Sequence, residues 1–160
     1  MSKGLKITII VVSMIVSVAG IIFMIMSKAG TSKLTEQTTI VIKGETKKTV
    51  KAELEGLYPG SSEEYEIILE GEGDSYQTSI QFRGNEDSEL KEYIDVKVIA
   101  GEEEIDKSLS ELIEEGENIS LGKNRESVKL IFTMREEAGN ETQGKGISFY
   151  IDVMVGNTGE

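Results

Sequence analysis

Two hydrophobic spacings divide the chain. From Ile7 to Met26, twenty residues run without a charge, ITIIVVSMIVSVAGIIFMIM. A helix of that length rises about 30 Å, the hydrocarbon thickness of a bilayer. Twelve of the twenty are Ile, Val or Phe, which at a few tenths of a kcal/mol each gives an insertion preference of roughly -5 kcal/mol and outweighs Thr8, Ser13 and Ser17. The run predicts a transmembrane helix. Beyond it the apolar period becomes two. Val50, Ala52 and Leu54 alternate with polar neighbours, as do Tyr65, Ile67 and Leu69, then Ile80 and Phe82, then Ile94, Val96 and Val98. Val128, Leu130, Phe132 and Met134 follow, and Ile147, Phe149, Ile151, Val153 and Val155 close the series. Each set reads as a half-buried strand.

Turn chemistry punctuates these strands. In Tyr58-Pro59-Gly60-Ser61 the proline fixes φ and the glycine is free to take positive φ; Gly71 to Asp74, Gly84-Asn85, Ala100-Gly101 and Gly139-Asn140 act similarly. One helix interrupts the pattern. Ser108 and Glu111 have capping-box spacing, Leu109, Leu112 and Ile113 share a face, and Gly116 sits where a helix stops. Seven or eight short antiparallel strands with one short helix predict a β-sandwich of jelly-roll or immunoglobulin-like kind. The predicted organisation is a short cytoplasmic N-terminus over 1–6, a transmembrane helix or uncleaved signal anchor over 7–26, a linker over 27–37 and an extracytoplasmic β-sandwich over 38–160.

Charge gives this organisation a direction. Residues 27–51 carry six Lys and two Glu, whereas residues 52–160 carry nine basic and 27 acidic side chains. Lysines just beyond a span lie within a Debye length of anionic headgroups, while the acidic domain is repelled from them. A short N-terminal tail and a long C-terminal domain predict N-in, C-out, a single-pass membrane protein with membrane lipid as the partner of residues 7–26. Two processing routes compete with a retained anchor: Ser27-Lys28-Ala29 has a signal-peptidase pattern, and Lys3-Gly4 precedes the apolar run as in type IV pilins. Nucleic acid is rejected as a partner, because an acidic domain with no basic, aromatic-interleaved face binds it poorly.

The chain has no Cys and no His. That removes thiol nucleophiles, disulfides, zinc ribbons, the Ser-His-Asp triad and HExxH sites. No cofactor is predicted and the chain is read as a non-enzyme. The densest carboxylate cluster, with Glu102, Glu104 and Asp106, offers the oxygen ligands that calcium favours but lacks the D-x-D-x-D-G spacing of a calcium loop, so a solvated loop is the competing reading. A carboxylate-based hydrolase would need two acids facing a substrate across a fixed gap, which a sequence cannot supply.

A family resemblance rests on Gly56-Leu57-Tyr58-Pro59-Gly60-Ser61, on Leu121-Gly122-Lys123, and above all on Ala138-Gly139-Asn140-Glu141-Thr142-Gln143-Gly144-Lys145-Gly146-Ile147-Ser148-Phe149. These segments resemble the TasA/camelysin family of secreted bacterial matrix proteins, over roughly residues 38–155. The resemblance implies an extracellular jelly roll, with some members forming biofilm fibres by strand exchange. The aromatic residue expected near the cleavage site is missing, and with no His the protease association of the camelysin name is not carried over. The segment Thr38-Thr39-Ile40-Val41-Ile42-Lys43 is β-branched and follows a tether, so it is the strand-exchange candidate: it pairs either with its own sheet or with that of a neighbour. The expected role is structural or interactive, in cell-surface or biofilm-matrix assembly, through self-association or a cell-surface protein partner. A pilin-like filament subunit with a processed N-terminal helix is the alternative.

Overall fold

Alternating apolar residues build every long strand. The computed structural model describes residues 32–71, 76–84, 88–139, 142 and 144–157. The strands are β1 (Ser32–Lys33), β2 (Gln37–Ile42), β3 (Thr46–Glu55), β4 (Ser62–Gly71), β5 (Tyr76–Arg83), β6 (Ile94–Ala100), β7 (Glu103–Ser108), β8 (Ile119–Lys123), β9 (Ser127–Met134) and β10 (Gly146–Asn157). They form two five-stranded sheets, a first sheet in the order β1-β3-β10-β5-β8 and a second in the order β2-β4-β9-β6-β7. The two inner faces share one core. Phe132 of β9 meets Phe149 of β10 edge-on at 5.6 Å across the gap, and Phe149 stacks on Phe82 of β5 at 6.1 Å. Each such aromatic pair contributes about 1 kcal/mol beyond its burial. The structure is mainly β, with two sheets and one α-helix among the described residues.

The helix α1 (Leu109–Glu115) starts at the expected cap. Ser108 Oγ accepts from the Glu111 amide at 3.2 Å, and Glu111 Oε2 accepts from the Ser108 amide at 2.9 Å. The Ser108 amide, followed by the Ser108 hydroxyl, which donates to the same Oε2 at 2.9 Å, holds the Glu111 carboxyl below its usual range. Leu109 and Leu112 are buried, and Gly116 ends the helix at φ 55°, a left-handed conformation that glycine adopts without a Cβ penalty. A 3-10 helix over Glu89–Tyr93 buries Leu90; its one apolar anchor left no periodic signal.

Three features depart from the sequence expectation. First, ten strands are present among the described residues, because β1 is a two-residue piece, β7 is a charged edge strand without period-2 alternation, and β8 is short, with only Ile119 and Leu121 to mark it. Second, β2 runs parallel to β4, with Gln37 opposite Glu66 and Ile42 opposite Gly71, although every strand was expected to be antiparallel. The chain enters at one end of the sheet edge and turns through residues 43–45 into β3 of the other sheet. Third, the segment read as linker up to residue 37 carries β1 and buries Leu34, a lone apolar residue among polar ones, in the common core. The predicted transmembrane helix at 7–26 lies outside the described residues. No helix among those described is long and apolar enough to cross a membrane.

A charged group also sits at the centre of the first sheet. Asp152, on the outer face of β10, is fully buried beneath its neighbours. Arg83 of β5 donates through Nε to Oδ2 and through Nη2 to Oδ1, both at 2.8 Å. Thr49 of β3 donates to Oδ1 at 2.7 Å, and Lys47 Nζ lies 3.0 Å from Oδ2. The Arg83 hydrogen bonds, followed by those of Thr49 and Lys47, outweigh desolvation and hold this carboxyl far below the ordinary aspartate range. The cluster rivets β3, β10 and β5 together.

Candidate functional site: the edges of the second sheet

Sheet edges expose unpaired backbone groups, so each edge must be covered, charged or used. At one edge of the second sheet, β7 carries charge. Glu104 and Asp106 share one face and bracket Lys97 of β6, at 2.5 and 3.6 Å. On the opposite phase Glu103 binds Arg125 Nη2 at 2.9 Å. The hydrogen bond from Lys97 to Glu104 raises the Lys97 pKa. Of the calcium candidates, Glu104 and Asp106 share one lysine, and Glu102 sits apart in the exposed turn before β7. Among the described residues no group of three acidic side chains is placed to hold a metal ion.

The opposite edge is β2, which contains all of the exchange candidate except Lys43, the residue that follows it. Its six residues, QTTIVI, carry no charge. Thr38, Ile40 and Ile42 face inward, with Ile40 and Ile42 in the core, while Gln37, Thr39 and Val41 are exposed; Val41 is 53% accessible. Strand alternation fixes the backbone directions as well. The Glu66 amide donates to the Glu36 carbonyl at 3.0 Å, so the even-numbered residues point their N–H and C=O groups at β4 and the odd-numbered ones point away.

Two side chains cap the ends of this outward row. Thr35 Oγ1 donates to the Gln37 carbonyl at 2.9 Å, and the Lys43 amide donates to Thr46 Oγ1 at 3.0 Å. Between the caps stand the amides and carbonyls of Thr39 and Val41. Beside the start of β2 an acidic cleft of about 310 Å³ is lined by Glu36, Glu64, Tyr65, Glu66 and Lys129. Gln37 Nε2 donates to Glu66 at 3.4 Å, and Lys129 lies 3.6 Å from Glu64. Tyr65 donates its hydroxyl to Glu63, and burial followed by that contact pushes its pKa up.

The far end of β2 is keyed to a glycine. A Cβ built on Gly71 would lie 2.6 Å from Ile42 Cβ, so only glycine at 71 lets Ile42 seat. The fit is imperfect elsewhere in β2, because the inward Thr38 hydroxyl is buried with no partner. Sequence reasoning located the segment but missed the Thr35 and Thr46 caps, which are single hydroxyls in polar surroundings. The Gly139 to Lys145 stretch leads into β10 at Gly146, with Ala138 and Thr142 buried.

No protein-family model matches the sequence, and no curated protein matches it. Among solved structures the chain is similar to a PliG-Ec mutant, a periplasmic inhibitor of g-type lysozyme from Escherichia coli. That similarity has 12% identity and a TM-score of 0.41 over 78% of this chain and 98% of the other. It is also similar to Salmonella Typhimurium PliG, a periplasmic inhibitor of g-type lysozyme, at 11% identity and a TM-score of 0.39, covering 74% and 97%. At these values neither similarity bears on what this chain binds.

Proposed function

We propose that this chain is a membrane-anchored, extracytoplasmic, non-enzymatic protein that serves cell-surface or biofilm-matrix assembly by pairing strands at the β2 edge. The observation that carries the reading is the contrast in edge chemistry: β2 is six residues long and charge-free, whereas β7 at the other end of the same sheet is studded with ion-paired acids. The apolar run at 7–26 and the basic residues that follow it support a tether at an anionic membrane surface. The TasA/camelysin resemblance agrees with a surface role and with a jelly-roll reading of the two sheets.

The test is to express the full chain in a bacterial envelope, crosslink surface proteins and shave intact cells with protease. The expected result is a protease-accessible domain whose crosslinked higher-order species disappear in Val41→Lys. An accessible domain whose crosslinking pattern ignores Val41→Lys would overturn the edge reading, and a protected domain would overturn the topology.

Strand exchange, in which β2 leaves β4 and is replaced by the same segment of a neighbour, is the second form of this reading. The observation favouring it is the partnerless Thr38 hydroxyl, which weakens the hold of β2 on its own sheet. Deleting Thr38 to Lys43 is expected to abolish oligomers and leave a folded monomer. A chain that unfolds instead would show that β2 belongs permanently to its own sheet.

A further inference from the structure

We infer that β2 stays on β4 and pairs, through its outer edge, with β2 of a second copy of this chain, antiparallel about a two-fold axis at Ile40. The inference rests on the edge reading above and names its partner and register. The open rung decides the register. Thr39 and Val41 present two outward N–H and two outward C=O groups, while the Gln37 carbonyl and the Lys43 amide on either side are engaged by Thr35 and Thr46. An antiparallel pair centred on Ile40 sets Thr39 opposite Val41 of the second copy and Val41 opposite its Thr39, and uses those four groups and no capped one. In that register the two caps fall opposite each other, whereas sliding by two residues places Gln37 opposite Val41, or Lys43 opposite Thr39, and leaves the open Val41 amide or Thr39 carbonyl facing a capped group.

Charge decides the direction. In this register Lys43 of each copy falls opposite Gln37 of the other, at the mouth of the cleft lined by Glu36, Glu64 and Glu66, where Lys129 is the one cationic lining residue. An exposed lysine thus enters an acidic cleft at both ends of the contact. Parallel, in-register pairing would instead set Lys43 against Lys43 and Glu36 against Glu36. The contact is isologous and closes on itself. With only four new backbone hydrogen bonds it depends on tethering both copies to one surface, which raises their effective concentration.

The experiment uses the full chain reconstituted in phosphatidylcholine–phosphatidylglycerol vesicles. Because the protein has no native cysteine, introduced ones are unambiguous. Residues opposite each other in the proposed pair have Cα atoms about 5.5 Å apart, within disulfide reach, whereas 39 to 39 and 41 to 41 are diagonal at roughly 7–8 Å and beyond it. Mild oxidation of Thr39→Cys mixed with Val41→Cys is expected to give at least tenfold more crosslinked dimer than either alone. Lys43→Glu or Glu36→Lys alone is expected to lower that yield severalfold, and the two combined in one chain to restore it. The exposed Thr39→Cys and Val41→Cys sites should leave the urea midpoint unchanged, which separates lost pairing from lost folding. Preferential crosslinking of either cysteine variant with itself would overturn the antiparallel register. No crosslink in any mixture, with assembly still sensitive to Val41→Lys, would overturn the second copy as partner while leaving the edge reading intact; insensitivity to Val41→Lys as well would remove both.

Discussion

The two edges of the second sheet have the same backbone need and opposite side-chain answers. β7 alternates Glu103, Glu104, Asp106 and Lys107 around a half-buried Ile105, and its acids are held by Lys97 and Arg125. An incoming strand would have to desolvate those pairs, so the edge is closed to other chains. β2 has no charge along its length and exposes Val41. The difference teaches that edge protection is local: the same acidic chain shields one margin and leaves the other bare, and the bare margin is where a partner is to be sought.

The largest expected effect on this contrast comes from unseating β2. Gly71→Val places branched carbons where Ile42 packs, and displacing Ile40 and Ile42 from the core should cost about 3–5 kcal/mol in urea unfolding, with β7 unaffected by hydrogen exchange. A control away from both edges comes next. Asp152→Asn removes the charge that Arg83, Lys47 and Thr49 hold, and because the cations are half exposed the loss should be about 2–3 kcal/mol.

The same group sets an acid limit. Its folded pKa is depressed, so its stabilisation is complete about one pH unit above the unfolded aspartate value of about 4 and is lost progressively as pH falls from about 5 toward the folded pKa. Asp152→Asn should therefore flatten the stability profile between pH 5 and pH 2. Thr38→Val, which removes the partnerless hydroxyl, should stabilise by about 1 kcal/mol and slow hydrogen exchange in β2. Smallest in stability, and sharpest for the comparison, is trading the guards. Val41→Lys should move the unfolding midpoint by no more than about 0.5 kcal/mol yet reduce association. Glu104→Thr with Asp106→Val should make β7 adhesive, seen as a salt-insensitive dimer in sedimentation.

Much of this architecture was readable because burial imposes a period. Val50 to Leu54, Val128 to Met134 and Ile147 to Val155 each send alternate residues into one core, and the pattern survives in the sequence. The cap of α1 was readable because Ser108 and Glu111 satisfy each other locally. β7 was not, since a charged edge strand is chemically identical to an acidic loop until Lys97 is seen between Glu104 and Asp106. The parallel course of β2 was hidden because strand direction depends on where the chain enters a sheet, which no side-chain pattern encodes. Asp152 looked like one of many surface acids; only the position of Arg83 and Thr49 on flanking strands reveals it as a buried anion. The candidate segment was located by its β-branched composition, but the row of backbone groups it leaves open depends on Thr35 and Thr46, whose hydroxyls are ordinary in sequence.

Those two threonines act as end-stops on a ruler. By occupying the Gln37 carbonyl and the Lys43 amide, they take one backbone group out of the ladder on either side of Thr39 and Val41. A long, sticky peptide of the amyloid sort finds a broken ladder there, so the margin stays free of charge without offering an unbroken template for runaway growth.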